Sequence, residues 1–296
     1  MTCSDYGTIS SAAVAFMVLL VGGNALGESR SSRDPGAIRV MTYNIRHAEG
    51  LDGKVDLDRI AAVIRAARAD IVCLQEVDRD LPRTQHQDFP RLLAEKLGMT
   101  AVFEPNYHFD GGDYGNATLT NLPVVSHENL KLPTPPDVEP RGCLRTTIRA
   151  GELTLDVLNA HLGLDEKERE EQTSAILKAV RDVPTILASD MNETAAGPGV
   201  GAILARLRDA AEGNAAEKGN TIPAKNPERR IDFIFVSKDI AVSSCDVLST
   251  PVTATASDHL PCIADINVRA PRDKDADKGV YNNDDKRVTE AISEGK

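Results

Sequence analysis

The strongest constraint in this sequence is a repeated juxtaposition: short apolar runs of strand-forming residues that begin or end on an acid, an amide or a histidine. Asn44 closes the run Ile38-Arg39-Val40-Met41-Thr42-Tyr43, and Glu76 follows Val72-Cys73-Leu74-Gln75. Asp190 and Asn192 follow Thr185-Ile186-Leu187-Ala188-Ser189. Asp232 opens Phe233-Ile234-Phe235-Val236, and Asp258-His259 stands immediately before Leu260-Pro261-Cys262-Ile263. Polar groups are costly inside a sheet and useful at its ends, where α/β proteins gather reactive side chains. The pattern predicts a sheet-based core whose strand ends share one polar edge.

Helical signatures lie between these runs. Asp56 is placed to cap a helix in which Leu57, Ile60, Ala61 and Ile64 recur at helical spacing. Further helices are expected over 89–97, 165–181 and 200–207, and strands over 38–45, 70–75, 100–104, 184–189, 231–237, 242–249 and 262–268. Residues 116–162 read as antiparallel strands broken at Pro123, Pro133 to Pro140 and Gly151, forming the middle of a sheet. Interleaved strands and helices predict an α/β fold, with helices covering two sheets packed face to face. The charged run 165–171 reads as a solvated helix face.

Residues 38–268 are expected to form one catalytic domain. Ahead of it, the apolar stretch 12–23 is shorter than the roughly 20 residues that span a bilayer, and Ala25-Leu26-Gly27 follows. Residues 1–27 therefore read as a cleavable signal for export to the periplasm or medium. The lack of Lys and Arg in the first ten residues leaves a short membrane anchor open. Residues 28–37 read as a linker, and 269–296, with almost nothing apolar to bury, as a disordered tail.

Composition excludes some functions. The chain has 296 residues and a formal net charge of −11, with no run of Lys and Arg, which disfavours broad nonspecific DNA binding. No Cys-x-x-Cys pair exists, so a thiolate zinc site is not expected. After loss of Cys3 four cysteines remain, an even number compatible with disulfides; Cys73 and Cys262, however, lie inside apolar runs where a thiol serves as a small buried hydrophobe.

The polar residue types suit one chemistry. Carboxylate and amide oxygens are hard ligands for Mg²⁺, a further carboxylate can activate water, and a histidine can hydrogen-bond a phosphoryl oxygen. Adjacent strand residues face opposite ways, so His259 pairs more readily with an acid from another strand, such as Asp232, than with Asp258. Taken singly, each residue has a bland explanation. Asn44 and Asp190 cap turns elsewhere, Glu76 and Asp232 resemble surface charges, and His161 resembles a packed strand histidine. Their joint occurrence at strand ends reverses that balance. His86, His108 and His127 lack partners at ligand spacing and read as structural, while the role of His47, three residues past Asn44, stays open.

Six segments carry a resemblance: Thr42-Tyr43-Asn44-Ile45, Leu74-Gln75-Glu76-Val77, Asn159-Ala160-His161-Leu162, Ser189-Asp190-Met191-Asn192, Arg230-Ile231-Asp232-Phe233 and Ser257-Asp258-His259-Leu260-Pro261. In this order they resemble the motifs of the endonuclease/exonuclease/phosphatase superfamily. The resemblance implies a four-layer αββα sandwich, with Asn44 and Glu76 holding Mg²⁺ (or Mn²⁺) and Asp258 assisting. It implies that Asp190 activates water and that Asn192 binds the phosphate or the nucleophile. His259 would contact the scissile phosphate, oriented by Asp232, and His161 would add a further phosphate contact. Either Arg141 or Arg145 would reach the substrate.

Two departures are informative. Ser189 and Met191 stand where the family usually has Gly and Phe, which leaves both functional side chains in place. Arg46-His47 stands where repair nucleases of the superfamily carry another acid or amide, which points away from abasic-site repair. The expected activity is phosphodiester hydrolysis by a monomer, with nucleic acid or a phospholipid headgroup at a membrane surface as substrate. The Tyr-Asn-Ile-Arg-His segment resembles small members grouped with glycolipid-anchor remodelling proteins. A noncatalytic binding module that retains the fold is the competing class.

Overall fold

The computed structural model describes residues 37–212 and 219–268. The expected signal or anchor at 1–27, the linker up to residue 36 and the tail at 269–296 lie outside the described residues. Among the described residues no helix is long and apolar enough to cross a membrane.

Local chemistry starts the helices where the sequence predicts. Asp56, Asp88 and Asp165 each accept a hydrogen bond from the backbone N–H three residues on, and so cap α1 (Leu57–Ala67), α2 (Phe89–Leu97) and α3 (Glu166–Ala179). Gly98 ends α2 at φ 67°, a left-handed conformation that only glycine adopts without strain. Helix α4 spans Pro198–Leu204, beginning earlier than predicted because Pro198 occupies its first turn. A single turn, α5 (Thr253–Ala256), precedes the last strand.

Twelve strands form two six-stranded sheets. The first sheet contains β1 (Ile38–Asn44), β2 (Ile71–Arg79), β3 (Thr100–Phe109), β4 (Gly112–Thr120), β11 (Ile240–Val247) and β12 (Cys262–Val268), in the order β11-β12-β1-β2-β4-β3. The second contains β5 (Val124–Lys131), β6 (Gly142–Ala150), β7 (Leu153–His161), β8 (Thr185–Asp190), β9 (Arg208–Asp209) and β10 (Asp232–Val236), in the order β5-β6-β7-β8-β10-β9. Each sheet has one parallel pair at its centre, β1 with β2 and β7 with β8, and α1 and α3 are the crossovers that such pairing requires.

Residue parity builds the layers. Val40, Ile71, Cys73, Ala264 and Ile266 of the first sheet meet Leu155, Val157, Ile186, Ala188, Ile234 and Val236 of the second. Their odd-numbered or even-numbered neighbours face outward: Met41, Tyr43, Val72 and Leu74 pack under α1 and α2, whereas Leu158, Ala160, Leu187, Phe233 and Phe235 pack under α3 and α4. The result is the four-layer αββα sandwich. Continued in steps of two, the inter-sheet rows end on Asn44, His161, Asp190 and Asp232, so the pleat that buries the core also aims these groups into the gap between sheets.

A buried amide cluster joins the sheets just beneath that edge. Gln75 Nε2 donates to Asn159 Oδ1 at 2.8 Å, and Asn159 Nδ2 donates back across the gap to Leu74 O at 3.1 Å and Ala117 O at 2.9 Å. Asn116 Nδ2 reaches Gly142 O at 3.0 Å and Asn159 O at 3.1 Å.

Several expectations are corrected. The run 116–162 does not form the middle of one sheet: β4 lies in the first sheet and β5 to β7 in the second, with the chain crossing at 121–123. Strand β2 continues past Gln75 to Arg79 through a bulge between Leu74 and Val77, which breaks the alternation the sequence would have shown. Strand β3 runs through Pro105 because it is an edge strand, where a missing N–H is tolerated. The helix face 165–171 is not simply solvated. Glu168 and Arg169 are buried, with Arg169 Nε on Glu193 Oε2 at 3.1 Å and Glu168 Oε1 accepting from Gln172 Nε2 at 2.7 Å.

The four described cysteines are free and buried, and burial pushes their thiols up, Cys143 and Cys245 to about 12. Peptide mapping after a short thiol-reagent pulse should find Cys73, Cys143, Cys245 and Cys262 unlabelled in native protein and labelled in denaturant. Asn159→Ala orphans Gln75 and two carbonyls, so it should cost about 2–4 kcal/mol, read as a lowered denaturant midpoint with unchanged slope.

Candidate active site

The inter-sheet rows deliver their polar ends to one cleft of about 570 Å³. It is lined by Glu76, Arg141, His161, Asp190, Asn192, Asp258 and His259, among others. A larger depression of about 860 Å³, walled by the start of α1 and by α2, contains none of the predicted site residues.

At the floor, His259 Nδ1 donates to Asp232 Oδ2 at 2.9 Å, the pairing predicted from strand parity. His259 Nε2 is left facing Asp190 Oδ2 at 3.7 Å. Burial alone would lower the His259 pKa, but the charges of Asp232 and Asp190 outweigh it and raise the imidazole to about 10. Asp190 is fully buried and beside Asp232, and burial first, then that like charge, lifts its carboxyl to about 6. His161 behaves oppositely. Burial and the nearby Arg141 guanidinium hold it well below its ordinary value, so it is neutral. Arg141 Nη1 lies 3.2 Å from His161 Nδ1, and His161 Nε2 lies 3.0 Å from Asn192 Nδ2 and 3.5 Å from Asp190 Oδ2.

Asn44 connects the two sheets' contributions. Its Nδ2 donates to Glu76 Oε1 at 2.9 Å and to Asp190 Oδ2 at 3.0 Å, while its Oδ1 accepts from Arg46 N at 3.0 Å. Asn192 N donates to Asp190 Oδ1 at 3.0 Å, and its side chain is anchored on Leu162 O at 2.9 Å. Ser257 Oγ donates to Asn44 O at 2.8 Å and so ties the loop before β12, which carries Asp258 and His259, to the end of β1.

Backbone strain concentrates here. Arg46, His47 and Ala48 form a left-handed turn at φ 46°, 40° and 61°, and Glu76 and Asn192 lie at φ 57° and 50°. Left-handed non-glycine residues cost on the order of 1–3 kcal/mol each and persist where surrounding structure enforces them. Glu76 is rotated out of its strand by the bulge in β2, and Asn192 is turned by the two hydrogen bonds just described.

Two groupings of oxygen and nitrogen donors are candidates for a metal. Ligand atoms of Asp190, Asp232 and His259 lie within 4.8 Å of one another. In this trio His259 Nδ1 is engaged by Asp232 Oδ2 and Asp190 Oδ2 accepts from Asn44 Nδ2, so the three form a candidate proton relay. The second grouping fits better. Glu76 and Asp258 line the cleft beside Asn44, which turns Nδ2 to Glu76 and Oδ1 to Arg46 N; carboxylate oxygens without thiolate are the chemistry that Mg²⁺ and Mn²⁺ prefer, and an amide flip would add the Asn44 oxygen to them.

The structure separates the two arginines. Arg141 lines the cleft, paired with Glu139, whereas Arg145 is not brought to it: its guanidinium is turned toward α3, bonded to Glu128 and Ala179 O. Arg145 lies within β6 on the face of Cys143, which packs under the outer helices, whereas Arg141 lies just before the strand begins and so escapes that alternation. His47 lines the cleft, with Nε2 3.4 Å from Glu49 Oε2. Sequence reasoning missed Glu139, Arg83, Tyr107, Phe109 and Tyr114, which form the remaining wall. Only the spacing of Glu139 two residues before Arg141 offered a signal.

The two sheets bring Asp190 and Asp232 from one and Asn44 and Glu76 from the other to a single edge. The chain belongs to the Endonuclease/Exonuclease/phosphatase family, whose model matches residues 41–259. Members of this family are generally hydrolytic phosphoesterases that use a divalent metal. The uncharacterized protein YbhP of Escherichia coli is 28% identical over 254 residues, covering 78% of this chain and 97% of that one. An endonuclease/exonuclease/phosphatase structure from Beutenbergia cavernae superposes with a TM-score of 0.65 at 28% identity, covering 78% of this chain and 72% of that one. A mannosyl-6-phosphatase from Bacteroides thetaiotaomicron shares the fold with a TM-score of 0.64 at 21% identity, over 77% of this chain and 99% of that one.

Asp232→Asn removes the charge that holds the His259 proton. In metal-free protein the imidazole pKa should fall from about 10, because burial is then opposed only by the charges of Asp190 and Asp258. NMR titration of the ring protons measures this, and an unmoved pKa would refute the relay.

Proposed function

We propose that this chain is a divalent-metal-dependent phosphodiesterase that hydrolyses its substrate by in-line attack of water. The observation that carries the reading is the convergence of Asp190 on both the Asp232–His259 pair and the Asn44–Glu76 pair. A bound Mg²⁺ or Mn²⁺ would be held by Glu76, Asn44 and Asp258, and would polarise a phosphoryl oxygen as a Lewis acid.

The chain's own groups divide the remaining tasks. Asp190, ionised and already hydrogen-bonded by Asn192 N and Asn44, accepts a proton from the attacking water. His259, kept protonated by Asp232, donates from Nε2 to a phosphoryl oxygen and neutralises charge as it builds on phosphorus. The Arg141 guanidinium provides a further donor, and neutral His161 lies between it and Asn192 Nδ2. As the new P–O bond forms, the bond to the leaving oxygen breaks, giving a phosphomonoester and an alcohol.

A diester is favoured over a monoester on charge. Glu76, Asp190, Asp258 and Glu139 all line the cleft, and Arg141 is partly neutralised by Glu139. At the scissile position, beside Glu76, Asp190 and Asp258, a singly charged phosphate group meets less repulsion than a dianionic one. The mannosyl-6-phosphatase relative makes sugar monoesters the comparison that matters.

Release of p-nitrophenol from bis(p-nitrophenyl) phosphate should require Mg²⁺ or Mn²⁺, vanish with EDTA and return on metal addition. Asp190→Ala should lower kcat by about a thousandfold or more, the scale of losing a positioned general base together with its orientation effects. Activity that persists in EDTA would overturn the metal mechanism. Faster turnover of mannose 6-phosphate than of any diester in a panel with plasmid DNA, RNA, sphingomyelin and phosphoinositides would overturn the diester assignment.

A further inference from the structure

Opposite the relay, the cleft wall carries an arginine set for a ligand that the hydrolytic machinery does not use. Arg83 sits in the short turn Pro82–Thr84 that follows β2. Its Nε donates to Asp78 Oδ2 at 2.8 Å and its Nη2 to Asp78 Oδ1 at 2.7 Å, a two-point fork onto a carboxylate with no exposed surface. The guanidinium lies 5.3 Å from the Phe109 ring centroid and 5.4 Å from that of Tyr114, so the aromatic wall supports its plane as the fork fixes its rotation.

This leaves one edge of the guanidinium uncommitted. Nη1 makes no hydrogen bond among the described residues, Nη2 has a second N–H, and the side chain is 39% exposed into the cleft. Two parallel N–H groups on a rigidly held cation match two oxygens of a phosphate group. The cleft's other arginines differ. Arg141 is engaged by Glu139 and His161, and Arg46 lies 3.4 Å from Glu49. If Arg83 served only to neutralise Asp78, a fully covered pair would do so, and nothing would require its second edge to face the cavity.

We propose that Arg83 forms a second anion-binding subsite, recognising a phosphate carried by the alcohol portion of the ester, so that preferred substrates bear a second phosphate beyond the scissile one. This rests on the phosphodiesterase reading for the placement of the scissile group. The aromatic wall beneath the arginine, with Tyr107 stacked on Phe109 at 4.8 Å, would face the organic part between the two phosphates.

A matched pair of ligands tests it: thymidine 5′-(p-nitrophenyl phosphate) and the same compound bearing a 3′-phosphate. Affinities are measured by calorimetry on protein carrying Asp190→Ala, so that turnover does not intervene. Because Arg83→Ala alone would strand a buried carboxylate and could prevent folding, the test variant is Asp78→Asn/Arg83→Gln in the same background, which keeps the net charge and replaces the ion pair by an amide pair. With Arg83 present, the 3′-phosphate should tighten binding about tenfold, the scale of one charge-assisted fork. In the double variant the two ligands should bind alike. No preference with Arg83 present, no binding of either ligand, or a preference that survives the double variant overturns the proposal. Failure of the hydrolytic reading shows separately, as wild-type protein releasing no p-nitrophenol from either compound while the Arg83-dependent difference in affinity remains.

Discussion

Everything at the cleft depends on how the two sheets are registered against each other, and a small amide cluster sets that registration. Apolar side chains between sheets are nondirectional and tolerate sliding. Asn159 does not: its one side chain bonds Gln75, Leu74 O and Ala117 O across the gap, and Asn116 returns the connection from the first sheet to Gly142 O and Asn159 O in the second. A buried amide satisfied on every side costs little, whereas a displaced one leaves several polar groups dry. The cluster sits one step below Asn44, Glu76, His161 and Asp190, which come from different sheets and must meet within hydrogen-bonding distance.

On that registration the pleat arranges the chemistry. The rows that fill the inter-sheet core end in the functional groups, so the parity that buries Val40 also aims Asn44, and the parity that buries Ala188 aims Asp190. The environment then sets each group's protonation. His259 and His161 lie on either side of the same Asp190 carboxylate, yet paired anions hold a proton on the first, while burial and a guanidinium keep the second neutral. One cleft thereby holds a cationic and a neutral imidazole near the same Asp190 oxygen.

Much of this was legible in the sequence because strand ends, capping aspartates and period-two burial are local signals. The pairing of His259 with an acid from another strand, such as Asp232, was expected from strand alternation, and it occurs although Asp258 and His259 lie in the loop before β12. Other features depend on tertiary context. Arg141 and Arg145 look equivalent in Arg-Gly-Cys-Leu-Arg, and β6 alternates too weakly to show which way Arg145 turns. Glu168 and Arg169 look like solvated helix charges, yet both are buried, Arg169 on Glu193 twenty-four residues away and Glu168 on Gln172. Arg83 carried no signal at all, since its partner Asp78 and its aromatic support at Phe109 and Tyr114 are assembled by a bulged strand and a distant hairpin. The bulge itself, which turns Glu76 into the cleft, interrupts the only periodicity that could have announced it.

The shared parity of core and cleft also governs which changes in chain length the protein can absorb. Deleting one residue within the stretch from Val40 to Asn44 would exchange the faces of everything beyond the deletion, moving Asn44 toward the helix layer and Tyr43 toward the gap. The same holds for β8 ahead of Asp190 and, in reverse, for β10 behind Asp232. Loops joining strands at the far edge carry no such penalty. Insertions and deletions are therefore confined by geometry to the connections, and the strands that carry the site can change in composition but not in length.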